Sequence, residues 1–313
     1  MTLTTTSLSD DPAGITAAAD ILRASGLVAF PTETVYGLGA DARNDQAVAR
    51  IFDAKGRPRF NPLIVHVASI AAAQTLVEWS DTADRLASTF WPGPLTLVLP
   101  LRPNSGLSPL VTAELPTLAI RFPAHPVGQA LLTAFDGPIA APSANPSGRI
   151  SPTTAEHVGA GLSGKIEGIV DGGTCDVGLE STIIGLNPSP RLLRPGGLPH
   201  HAVEAALGAP LAKHGDDDQI NAPGQMTSHY APDAPMRLNA MQANPGEVML
   251  GFGDISGDLT LSASGDLVEA AANLFGHLHK LNAMAKPIAV ASIPEKGLGL
   301  AINDRLKRAA APR

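Results

Sequence analysis

Arg50, Lys55, Arg57 and Arg59 crowd four cations into ten residues, in a part of the chain where carboxylates otherwise predominate. Val48, Ile51, Phe52 and Lys55 stand at i, i+3, i+4 and i+7, the spacing of one helical face, and Gly56 and Pro58 then stop the helix. A lysine in a last turn followed by glycine is ordinary C-capping. Capping does not account for Arg57 and Arg59, which lie beyond the stop and lead through Phe60-Asn61-Pro62 into an apolar run. Cations on a loop that enters a strand are placed to meet an anion, and guanidinium forks match phosphate oxygens. At an effective dielectric of about 20, a contact at about 4 Å carries on the order of 4 kcal/mol before desolvation, so a polyphosphate accounts for such clustering.

Two further places carry polar groups at apolar strands. His66 interrupts Leu63-Ile64-Val65-His66-Val67, either as a core histidine satisfied by backbone or as a neutral imidazole lining a pocket. Ser143-Ala144-Asn145 follows Ile139-Ala140-Ala141 between two prolines; a turn explains it, and a strand end in an open α/β sheet is also where ligands bind. Familiar nucleotide fingerprints fail. Gly159 to Ile166 has P-loop spacing, but Ile166 replaces the hydroxyl that would hold magnesium and a helical stretch precedes it, so it reads as a helix-ending loop. Gly37 to Ala42 mimics a dinucleotide turn, yet the preceding strand ends at Phe30 and Pro31, so Gly37 to Gly39 reads as a loop. There is no G-x-S-x-G elbow and no H-E-x-x-H; neither His277 with His279 nor His200 with His201 forms a metal pair.

The elements that position these residues alternate from Ile15 to Val203. Strands are expected at 27–30, 63–67, 95–99, 118–122, 139–141, 168–170, 182–186 and 191–193, with Pro31, Pro62, Pro94, Pro123, Pro138 and Pro195 at their edges. Helices fit 15–24, 45–55, 81–89, 126–134, 153–158 and 199–207. Periodicity fails from Gly208 to Pro235, which reads as an exposed linker. A second unit follows, with strands at 247–252 and 288–292, a helix over 266–282 capped by Ser264, and a closing helix over 300–310. The expected architecture is α/β: residues 1–207, a linker at 208–235, and a small unit at 236–313. A chain with 31 Gly and 28 Pro could be disordered, but 44% hydrophobic and 16% charged residues argue for a packed core. The net charge of −7 disfavours a protein that tracks a nucleic-acid backbone. One cysteine, Cys175, excludes an internal disulfide framework and a Cys-rich zinc site. The first twenty residues do not read as a secretory signal, and no apolar stretch approaches the roughly 20 residues of a membrane helix, so a soluble protein of a reducing compartment is expected.

Taken in order, Pro31-Thr32-Glu33-Thr34-Val35-Tyr36-Gly37-Leu38-Gly39, Lys55-Gly56-Arg57-Pro58-Arg59 with Asn61-Pro62-Leu63, Ala119-Ile120-Arg121-Phe122-Pro123, Ser143-Ala144-Asn145 and Arg194-Pro195-Gly196 resemble the YrdC-type threonylcarbamoyl-AMP synthases. The resemblance continues through Pro223-Gly224 and His229-Tyr230-Ala231-Pro232, which look like the interdomain linker of the long form, to Gly297 through Leu306, which looks like the end of its C-terminal domain. It implies an open twisted mixed sheet with a concave basic pocket and a smaller Rossmann-like α/β domain. It also implies an enzyme that joins L-threonine, bicarbonate and ATP into threonylcarbamoyl-AMP and pyrophosphate. The product would pass to a separate transferase complex that modifies tRNAs reading codons beginning with A. A cytoplasmic location, with no membrane association and no stable nucleic-acid binding, is expected.

Carried over by motif, Lys55, Arg57 and Asn61 would contact the ATP phosphates, with Lys55 and Arg57 catalytic, and Ser143 with Asn145 would complete the nucleotide and magnesium environment. Thr117, Ser151, Arg194 and Tyr230 match nucleotide-contacting positions. Thr34, His66, Arg121, Ala141 and Ser181 match the threonine pocket, with Arg121 the natural partner of the carboxylate. Mg2+ would accompany ATP, bound mainly through phosphates. The linker would be a lid. Gln225-Met226-Thr227-Ser228 departs from relatives that carry basic residues there. Alternatives are a carbamoyl-adenylate-forming maturation enzyme, which the single cysteine disfavours, and a double-stranded-RNA-binding module, which the net charge disfavours.

Overall fold

The computed structural model describes residues 3–213 and 228–312. Eleven strands form one mixed sheet: β1 (Thr6–Leu8), β2 (Val28–Phe30), β3 (Gly37–Asp41), β4 (Ile64–His66), β5 (Leu95–Pro100), β6 (Thr117–Arg121), β7 (Ile139–Ala140), β8 (Gly168–Val170), β9 (Thr182–Gly185), β10 (Arg191–Arg194) and β11 (Ala212–Lys213). Their spatial order is β1-β8-β2-β3-β7-β4-β6-β5-β9-β10-β11. A second sheet, all parallel, holds β12 (Met236–Arg237), β13 (Val248–Gly251), β14 (Leu259–Thr260) and β15 (Ile288–Val290) in the order β12-β15-β13-β14. The eight strands expected in the first unit are all present, with ends moved by a residue or so.

Alternation along the central strands decides where a site can be. Val65, Leu97, Leu99, Leu118, Ile120 and Ile184 point into the main core beneath the sheet. Their neighbours Ile64, Val98, Ala119, Ile183 and Leu193 form a small apolar floor on the opposite face. His66 and Arg121 end β4 and β6 on that second face and are direct register partners, so the parallel pairing sets a histidine beside an arginine. Helix Pro12–Arg23 and helix Pro126–Phe135 cover the β2 and β7 side of the sheet through Leu22, Leu131, Leu132 and Phe135.

Three expectations are corrected. Gly37 to Gly39 is not a loop but the start of β3, antiparallel to β2; an added Cβ at Gly39 would lie 2.9 Å from the Phe30 ring, so glycine permits the close packing. Two glycines in five residues hid a strand that buries Leu38 and Ala40 in the main core and pairs by backbone. Asp266, rather than Ser264, caps the helix Leu267–Asn282, accepting from the amides of Val268 and Glu269, while Ser264 shares a hydrogen bond with Ser262. The helix expected at 153–158 runs Ala155–Leu162 with Thr154 as cap, so the P-loop lookalike lies in its last turns and the loop after it, as read.

Candidate active site

The helix Asp45–Lys55 starts at Asn44, whose side chain accepts from the Ala47 amide at 3.0 Å, a cap worth about 1 kcal/mol. Its buried stripe is Val48, Ile51, Phe52 and Lys55, so the lysine enters the interior with the apolar face. Gly56, at φ +60°, ends the helix in the left-handed region that glycine tolerates. The cap is therefore real, yet the Lys55 ammonium does not serve its own helix end: Nζ donates to the Ser143 and Asn145 carbonyls. The Ser147 amide donates to the Lys55 carbonyl at 2.7 Å, which fastens the Ser143 loop to the helix terminus.

Arg57, also buried, donates from Nε to the Asn61 carbonyl at 3.2 Å and from Nη2 to the Pro62 carbonyl at 2.9 Å. Among the described residues neither Lys55 nor Arg57 meets a carboxylate. Burial, and then the neighbouring Arg57, hold the Lys55 ammonium well below its ordinary pKa, and burial pushes Arg57 down to about 10. Both cations are poorly solvated. The other two arginines of the sequence cluster go elsewhere: Arg50 pairs with Glu167, and Arg59 is exposed.

A cleft of about 550 Å³, counting space open to solvent, runs along this face. Arg57, Ser143, Arg194 and Tyr230 line one end and Thr34, His66, Arg121 and Ser181 the other, with Ala141 also on its wall. At the second end Arg121 Nη1 donates to Thr34 Oγ1 at 2.9 Å, and its Nη2 lies 2.6 Å from Glu33 Oε1, an ion pair whose geometry falls short of a hydrogen bond. Glu33 Oε2 accepts from the Ala124 amide. Burial, then the Arg121 charge, push His66 down to about 3, so its imidazole is neutral; Nδ1 is buried without a hydrogen-bond partner. Ser181 shares a 2.7 Å hydrogen bond with Thr96 and receives Arg194 Nη2 on its carbonyl at 2.8 Å.

Lys55, Asn61, Asn145 and Ser151 are buried behind the lining residues. Asn145 Nδ2 donates to the carbonyls of Pro146 and Arg149, leaving Oδ1 buried without a partner. Ser151 donates to Glu180 at 2.6 Å. Thr117 opens β6 on the same face as Ala119 and Arg121 but is not among the cleft's lining residues. Tyr230 is buried at φ +63°, packed against His229 and Phe275, and its hydroxyl is pushed up to about 12 by burial and then by Glu180. Of the expected lid, residues 214–227, including Pro223, Gly224 and Gln225 to Thr227, lie outside the described residues.

Sequence reading missed Glu33, Glu180, His229 and Arg305. Glu33 sits inside the quoted Pro31 to Gly39 motif, but nothing in its spacing marked it as the partner of a residue 88 positions away. Glu180 had one signal, its place immediately before Ser181. Gly196 packs so closely on the Glu180 and Ser181 backbone that an added Cβ would lie 2.3 Å from the Glu180 carbonyl oxygen, which explains the glycine after Arg194-Pro195.

Buried cations along and behind a cleft on a mixed α/β sheet, beside a neutral histidine and a charge-balanced arginine, define a basic ligand-sized cleft. The comparisons agree with that class. The family model described as telomere recombination matches residues 20–196, and the one described as threonylcarbamoyl-AMP synthase, C-terminal domain, matches residues 198–311. The chain belongs to the Sua5/YrdC family, in the form that carries the Sua5 C-terminal domain. It is 43% identical to the threonylcarbamoyl-AMP synthase of Bacillus subtilis (strain 168), over 99% of this chain and 96% of that one. It is similar to the crystal structure of P. abyssi Sua5 complexed with L-threonine, with a TM-score of 0.89 and 40% identity over 97% of this chain and 96% of that one. E. coli YciO, 24% identical with a TM-score of 0.56 over 61% of this chain and 96% of its own, shares the fold of the first unit.

Proposed function

We propose that this chain is a threonylcarbamoyl-AMP synthase, condensing L-threonine, bicarbonate and ATP with release of pyrophosphate. The observation that carries the reading is that one cleft is lined by Arg57, with Lys55 bound to the Ser143 loop behind it, and by Arg121, Thr34 and His66, with Glu33 paired to Arg121 behind them. In that reading the threonine carboxylate takes Arg121, drawing Nη2 away from its imperfect contact with Glu33, and Glu33 is then free to face the amine. The amine and bicarbonate give a carbamate and water. A carbamate oxygen attacks the α-phosphorus in line, and the bond to the pyrophosphate oxygen breaks. No side-chain nucleophile is needed, because positioning and charge stabilisation supply most of the catalysis in transfers at phosphorus. Lys55 and Arg57 would take the charge that develops on the phosphates and the leaving group.

Mg2+ would arrive with ATP. Among the described residues no group of three His, Cys, Asp or Glu side chains converges as a metal site, so phosphate oxygens and water would supply most ligands, with Asn145 Oδ1 a fitting oxygen. Carbamates lose CO2 readily, which calls for exclusion of water; Tyr230 and His229, buried over the phosphate end, supply a wall for that. Delivery of the adenylate to a tRNA-modifying transferase, and a cytoplasmic location, belong to the same proposal; no described helix is long and apolar enough to cross a membrane.

The test is pyrophosphate release from ATP and bicarbonate with and without L-threonine, with mass detection of the adenylate; threonine-independent turnover overturns the assignment. Replacing Tyr230 with Ala should lower product yield and ATP affinity together, and unchanged values would remove Tyr230 from the wall.

A further inference from the structure

We propose that Arg305, contributed by the C-terminal helix Gly299–Ala310, is a positioning residue of the nucleotide end of the cleft, holding Glu180, and through it Ser151, together with the ring of Tyr230. The inference rests on the ATP-binding reading above and extends it to a residue outside the catalytic sheet.

Arg305 is 0% exposed, a cation fully buried on a helix face that otherwise buries Ala301, Ile302, Leu306 and Ala309. Its Nε donates to Glu180 Oε2 at 2.9 Å, its Nη1 to the Pro195 carbonyl at 2.7 Å and to Asp304 at 2.9 Å, and its guanidinium lies 5.4 Å from the centre of the Tyr230 ring. One side chain thus ties together the carboxylate that follows Leu179, the Arg194-Pro195-Gly196 loop and the residue at which the linker re-enters the site. Glu180 and Tyr230 line the cleft, whereas Arg305 stands behind them.

The charge logic explains why an arginine is needed there. A carboxylate beside a phosphate-binding end repels the ligand unless cations hold it, and a buried carboxylate stripped of its partner is strongly unfavourable. The charged and titratable groups facing Glu180 are Arg305, Arg194, Tyr230 and His229. Burial alone would raise the Glu180 carboxyl; Arg305, then Arg194 and the Ser151 hydroxyl, turn the shift downward and keep it ionised. Ser151 donates to Oε1 while Arg305 donates to Oε2, so both oxygens of the carboxylate are held.

The experiment uses the full chain and calorimetric binding of a non-hydrolysable ATP analogue and, separately, of L-threonine. Arg305→Met should weaken the analogue by about 10-fold or more through the loss of the Glu180 ion pair, and leave threonine affinity within about 2-fold, because the contacts of Arg121 with Thr34 and Glu33 do not involve Arg305 or Glu180. Arg305→Lys should recover part of the loss, since one ammonium replaces the fork. The double variant Arg305→Met with Glu180→Gln should bind the analogue about 5-fold or more better than Arg305→Met alone, a recovery that loss of packing cannot produce. Unchanged analogue affinity in Arg305→Met, a parallel fall in threonine affinity, or no recovery in the double variant overturns the proposal. If Arg305→Met does not fold, Arg305→Lys decides: selective weakening of the analogue supports the proposal and wild-type affinity overturns it. Failure of the wild-type chain to bind the analogue at all would instead sink the ATP-binding reading, so the two failures are distinguishable.

Discussion

At the β4 and β6 end of the cleft Arg121 meets Glu33 and Thr34, whereas at the helix-terminus end Lys55 and Arg57 donate, among the described residues, to backbone carbonyls. The first end is balanced in charge before any ligand arrives, as suits a zwitterion that brings one charge of each sign. At the second the carboxylate present, Glu180, is held by Arg305 and Ser151, and among the described residues Lys55 and Arg57 have no carboxylate partner, as suits a ligand that brings only negative charge. Both ends are equally dry, so the difference lies in the partners and not in burial. Buried guanidinium groups therefore say little about a ligand until their partners are counted.

The sharpest way to break the contrast is to measure the unliganded protein. Arg121→Met leaves Glu33 buried without its partner and should lose about 3 to 5 kcal/mol of stability in denaturant unfolding, whereas Arg57→Ala, which strands no carboxylate, should change stability by less than about 1 kcal/mol. Equal losses would show that the two ends are built alike. Activity should invert the ranking of concern: Lys55→Ala and Arg57→Ala each should lower kcat/KM for ATP by about 10²-fold or more, equivalent to about 2.7 kcal/mol, and near-normal kinetics in both would return Lys55 and Arg57 to helix-end structure.

Acid should act on both ends alike. His66 and His229 are each pushed down to about 3, chiefly by burial and then by neighbouring cations. Their native pKa lies below the unfolded value, so the unfolded chain takes up the proton first. Their neutral forms carry no penalty above about pH 6.5, and stability falls as pH drops from there toward 3, by about 2 kcal/mol per histidine at pH 5. Unfolding followed from pH 7 to pH 5 should show the decline, and His66→Leu should flatten its own share; a slope indifferent to that substitution would remove the imidazole from the buried Arg121 end.

Much of the scaffold was legible because strands and helices here carry their own signals. Asp45–Lys55 reads directly from its stripe and from Gly56, and β8 reads from an isolated apolar run. β3 was not legible, since Gly37 and Gly39 carry no side chain and the alternation of Leu38 with Ala40 is too short to read, and the segment pairs as a strand between β2 and β7. Thr117, like Lys55, Asn61, Asn145 and Ser151, is not among the cleft's lining residues, and its place at the start of β6 is all that the fold adds to its motif position.

Local chemistry in the chain determined the cations, the helix that delivers Lys55, the strand that carries His66 and the polar loop at Ser143. Tertiary structure alone decided that Arg121 would be balanced by Glu33 and Lys55 would not, that Arg50 and Arg59 would leave the cluster, and that Arg305 would reach Glu180 from the far end of the chain. The reason is physical. Propensity and periodicity act over a few residues, but a counter-ion is chosen by proximity in a low-dielectric interior, and that proximity exists only after the sheet has paired.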